Sequence, residues 1–85
     1  MSFLEKIERH ADLFRRMADT VEADLGEAAM EGRLTEAALR SAIVSCVGCK
    51  DAEACGDWLD AQSEGAAKTP GYCRNTALFE RLAAG

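Results

Sequence analysis

Apolar side chains recur at three- and four-residue steps along the first third of the chain. Phe3, Leu4, Ile7, His10/Ala11, Phe14, Met17/Ala18, Val21 and Leu25 form one stripe, with Glu5, Glu8, Arg9, Asp12, Arg15, Arg16, Asp19 and Glu22 on the other faces. This period predicts an amphipathic helix over roughly residues 3–24. Ser2 followed by Glu5 has the form of a capping box at its start. Phe3, Ile7, Phe14, Met17 and Val21 are the expected core contacts of that helix.

The stretch from Gly26 to Arg33, flanked by Gly26 and Gly32, reads as a connection with room for one turn at Ala28-Ala29-Met30. Thr35 is a good N-cap for a second helix over about 36–47, with Leu34 and Leu39 spaced as a hydrophobic staple. Leu39, Ala42/Ile43 and Cys46/Val47 make its buried side, and Gly48 is a plausible terminator. Asp51 can cap a third helix of about 52–62 carrying Cys55, Trp58 and Leu59. Thr69-Pro70-Gly71-Tyr72 is a strong turn signal. After it, Asn75 or Cys73 caps a last helix over about 75–83 with Leu78, Phe79 and Leu82. No segment alternates like a strand. The expected fold class is therefore all-α, a small bundle of about four helices in a single domain over 1–85.

Composition adds a constraint. An 85-residue chain rich in alanine buries only about 60–65% of its unfolded surface, so a cross-link or bound metal would be valuable to it. There is no apolar run of about 18 residues to span a membrane, and no secretory pattern at Met1–Lys6. These readings place the chain in the cytoplasm. Its formal charge of -5 and the lack of a Lys/Arg run disfavour nucleic-acid binding.

The candidate chemistry lies in four cysteines, Cys46, Cys49, Cys55 and Cys73, spaced C-x2-C-x5-C-x17-C. In a cytoplasmic chain such clusters more often bind metal or do redox chemistry than form structural disulfides. All four fall at or near the ends of the expected helices, where a CxxC pair and two later thiolates can converge on one ion or cluster. The reading is a four-cysteine metal site holding a [4Fe–4S] cluster, with Zn2+ as the alternative. Four thiolates on a +2 centre would bring the charge to about -7. Trp58, Tyr72 and Asn75 are the expected cofactor-shielding side chains, and Arg74 is placed to offset negative charge. His10, the single histidine, reads as a surface or partly buried hydrogen-bonding residue. The Cys46–Cys49 portion with Cys55 resembles the latter part of the iron–sulfur loop of helical DNA glycosylases, which implies only the cluster type.

A resemblance at the level of the whole chain rests on Arg15-Arg16-Met17-Ala18, Val21-Glu22-Ala23-Asp24-Leu25, Glu31-Gly32-Arg33-Leu34, the cysteines, Trp58-Leu59 and Pro70-Gly71-Tyr72-Cys73-Arg74-Asn75. These look like a family of small uncharacterised four-cysteine bacterial proteins frequent in alphaproteobacteria. The resemblance implies the helical fold and the metal site, and names no reaction. Three functions follow from the cysteines. The first is an electron carrier or a redox or iron sensor, docking its acidic surface on a basic redox partner. The second is a zinc-stapled adaptor or protein-interaction domain. The third is thiol–disulfide exchange, which requires a lowered thiol pKa. With no nucleophile–base set, phosphate loop or hydrolase motif, an enzyme with its own substrate pocket is the reading least favoured.

Overall fold

The path of the first helix decides how the other elements are arranged. Residues 3–83 are described by a computed structural model, and they form helices, turns and loops with no strand. The helices are α1 (Phe3–Thr20), α2 (Leu25–Met30), α3 (Glu36–Val47), α4 (Ala52–Ala61) and α5 (Thr76–Ala83). The all-helical expectation holds, but the described residues contain five helices where about four were expected. The added element is α2, inside the stretch read as a connection. Asp24 makes it possible, its Oδ1 accepting the Glu27 N–H at 2.9 Å.

α1 stops at Thr20, short of the expected end near residue 24. Glu22 adopts φ +60°, and the Ala23 N–H reaches back to the Ala18 carbonyl at 2.8 Å. This is a left-handed C-cap built on glutamate. It satisfies carbonyls that the helix end would otherwise leave open. The end of α2 repeats the arrangement with Gly32 at φ +77° and the Arg33 N–H on the Ala28 carbonyl at 2.8 Å. The second signal is legible as a glycine and the first is not. Ser2 of the expected capping box lies outside the described residues.

α1 packs against α3 and α4. Its buried face is His10, Leu13, Phe14, Met17 and Ala18, continued by Val21 beyond the helix. Leu34, Ala42, Leu59, Phe79 and Leu82 close the same apolar core from the other elements. Phe14 and Phe79 meet with ring centroids 5.0 Å apart and planes tilted by 38°, an arrangement that aromatic quadrupoles favour. The stripe loses its cover towards the start of α1. Phe3 is 73% exposed and Leu4 66%, so the expected core role of Phe3 is corrected, while Ile7 is half-buried.

Thr35 caps α3 by accepting the Ala38 N–H at 3.0 Å. Two polar contacts tie later elements to this frame. Arg16 pairs with Asp60 of α4 at 2.6 Å on the surface. Asn75 is buried just before α5 and donates from Nδ2 to the Ala42 carbonyl of α3 at 2.9 Å. The loop after α4 is strapped to the end of α1 by the Ala66 N–H on the Thr20 carbonyl at 2.9 Å. Gly65 makes that approach possible. It sits at φ +85°, and a Cβ there would come within 3.1 Å of the Thr20 oxygen.

Candidate functional site

Each candidate cysteine takes its place from an element end. Cys46 occupies the last turn of α3, and Cys49 follows the C-cap residue Gly48. Cys55 lies in α4, its N–H bonded to the Asp51 carbonyl at 2.8 Å. Cys73 closes the Pro70 turn, its N–H on the Pro70 carbonyl at 3.1 Å. All four side chains line one cavity of about 30 Å3, floored by Leu13, Phe14 and Met17 of α1 and Phe79 of α5. Tyr72, Arg74 and Asn75 complete its wall. Trp58 does not line it and instead packs, partly buried, against the core.

The thiols are free and half-buried. The Cys46 thiol points to the His10 carbonyl, 3.5 Å away, and Cys49 Sγ accepts the Asp51 N–H at 3.4 Å. Burial, reinforced by Cys55, Cys49 and Cys73, pushes the Cys46 thiol up to about 11. Burial and then Cys73 also push Cys55 upward. Charged thiolates at Cys46 and Cys55 are disfavoured because their surroundings are apolar and the neighbouring thiolates would share the same sign.

These observations correct the sequence reading of the site. Among the described residues, no group of three or more His, Cys, Asp or Glu side chains is placed to hold a metal ion. The expected four-cysteine metal site, its [4Fe–4S] cluster and its Zn2+ alternative are overturned. The carrier, sensor and zinc-adaptor functions built on them fall as well. The four cysteines share a cavity wall without forming a group that surrounds one ion. Thiol–disulfide exchange loses its basis too, since it requires a lowered thiol pKa and both resolved shifts are upward. The cofactor-shielding roles of Trp58, Tyr72 and Asn75 have no cofactor to serve. Asn75 acts as a strut between α5 and α3.

Two buried polar groups have no partner among the described residues: both ring nitrogens of His10 and the Tyr72 hydroxyl. His10 is only 4% exposed, so the expected surface or hydrogen-bonding role is corrected. Its imidazole is held below the ordinary range by burial first and then by Lys6 and Arg9. Tyr72 is pushed upward by burial and then by Cys55 and Asp51. Leu13 and Lys50 drew no notice in the sequence. Leu13 does not fall on the stripe as read, and a lone lysine carries no local signal.

The comparisons follow the same course. The model of a family of unknown function, DUF6455, matches residues 1–85. The chain belongs to that family. Membership supports the whole-chain resemblance and supplies no activity. No curated protein and no solved structure matches. The narrower likeness to a glycosylase loop and the bacterial lineage gain no support from these findings. Among the described residues no helix is long and apolar enough to cross a membrane.

Proposed function

We propose that this DUF6455 chain works by contact with another protein, as an acidic helical binding module of the cytoplasm that docks on a basic surface. The observation that carries the reading is where its charge lies. α1 holds four acidic and four basic side chains, whereas the rest of the chain holds eleven acidic and six basic ones. The whole excess of -5 therefore falls outside α1. Part of it frames an open groove of about 370 Å3 at the start of α4, lined by Asp51, Glu53 and Asp57 together with Lys50. Carboxylates held on one rigid face steer and orient a cationic partner.

The thiol cavity supports the same conclusion from the other side. A space of about 30 Å3 holds roughly one water molecule, far below the 300–1,000 Å3 of usual small-molecule sites. Its cysteines serve as small apolar side chains completing the core.

The test is photo-crosslinking in cells from a reactive residue at position 54, which lines the same groove, with and without the added substitutions Glu53→Lys/Asp57→Lys. One crosslinked protein with a basic contact face, lost in the charge-reversed variant and weakened by salt, is expected. Crosslinks indifferent to charge reversal would refute the reading.

A further inference from the structure

A second groove, of about 180 Å3, shares Lys50 and Asp51 with the acidic one. Its lining includes Lys50, Arg74 and Tyr72 with Gly48, Cys49 and Asp51. Arg74, an exposed residue, also lines the thiol cavity. It lies over the end of α3, where a Cβ on Gly48 would come 3.8 Å from the guanidinium carbon. Neither Lys50 nor Arg74 has a hydrogen bond or ion pair among the described residues. Tyr72 lines both spaces. A chain with five excess negative charges thus brings two unpaired cations to one concave place.

We propose that this groove is a binding site for a small oxyanion, a carboxylate or phosphate group, held by Arg74 and Lys50 beside the Tyr72 side chain. The planar guanidinium matches the two oxygens of such a group, and the ammonium adds a point charge. Asp51 lines the same groove and opposes the anion. It tunes the site to be weak and readily reversed. The inference goes beyond the protein-contact reading, and its test involves no protein partner, so either can fail alone.

The experiment is a titration of the isotopically labelled full chain, in separate arms with sodium acetate and sodium phosphate at constant ionic strength. Saturable shifts at Lys50, Tyr72 and Arg74 are expected, with Kd on the order of millimolar. The tighter arm identifies the source as a carboxylate or a phosphate group. Arg74→Gln should weaken binding by about tenfold, as loss of a charge-assisted pair does. Asp51→Asn should tighten it by roughly threefold, because a like charge beside the anion is removed. Linear shifts that never saturate, or equal affinity in Arg74→Gln, would overturn the proposal. If Arg74→Gln does not fold, Asp51→Asn decides, and an affinity unchanged or weakened by that substitution overturns it.

Discussion

Truncating Phe14 to alanine probes the centre of the fold. Phe14 is 2% exposed and stacks at a tilt on Phe79, itself 2% exposed. Removing a fully buried phenyl ring costs about 3–5 kcal/mol, the sum of lost transfer energy and the cavity left behind. The contact with Phe79 accounts for roughly 0.5–1.5 kcal/mol beyond burial. A chain of this length has a total stability of roughly 4–13 kcal/mol, so Phe14→Ala removes a large fraction and can unfold the protein outright. Urea unfolding followed by helical circular dichroism is the assay. With a slope of about 1–3 kcal/mol per molar urea, the midpoint should fall by roughly 1–5 M. Phe14→Leu keeps most of the volume and should cost about 1–2 kcal/mol, which leaves a measurable folded state. A double-mutant cycle of Phe14→Leu with Phe79→Leu isolates the ring pair. A loss below about 1 kcal/mol for Phe14→Ala, or no coupling in the cycle, would refute the packing described for α1 and α5.

Four further outcomes are expected. His10 is buried neutral with its imidazole held low, so below about pH 6.5 the unfolded chain binds the extra proton. Its stabilising share is complete above that pH and is lost as pH falls through the lower folded value; His10→Gln should flatten this limb in unfolding measured across pH 4.5–8. Glu22→Gly should raise the urea midpoint by the equivalent of roughly 0.5–1 kcal/mol, because glycine takes the left-handed C-cap without the Cβ cost. Gly65→Ala should lower stability by at least about 1 kcal/mol, with amide exchange at Ala66 speeding up, since both the positive φ and the Thr20 contact resist a Cβ. With its thiol near 11, only about one Cys46 in a thousand is ionised at pH 8. Iodoacetamide labelling followed by peptide mass spectrometry should find Cys46 far slower in the folded chain than in urea.

The charge map bears on function in a way that individual ion pairs do not. Arg15–Asp12, Arg16–Asp60 and Arg40–Glu36 are surface pairs, of the kind that contribute little stability. The α4 groove gathers Asp51, Glu53 and Asp57, and Lys50 with Arg74 lines the adjoining one. On the proposed docking reading, opposite charges set side by side fix the orientation of a docked surface more than they add affinity.

Periodicity determined that this chain is helical and that Phe14, Met17 and Val21 face inward, and capping chemistry determined that Thr35 begins a helix. Each depends on residues within a turn or two of one another, so local sequence contains the cause. The exposure of Phe3 depends on whether another element covers that end of the stripe, and the stripe itself is silent on that. The end of α1 was hidden because a glutamate occupies the left-handed position where glycine is the usual sign. The cysteines are the sharpest case. Their number and spacing say that four thiols can meet, and they do line one cavity. A metal site also needs at least three such side chains grouped around one ion, and no such group occurs among the described residues. Where the cysteines end up is set by the packing of their elements against Leu13, Phe14, Met17 and Phe79, brought from opposite ends of the chain. Those side chains make the space small and apolar, and only tertiary packing could do that.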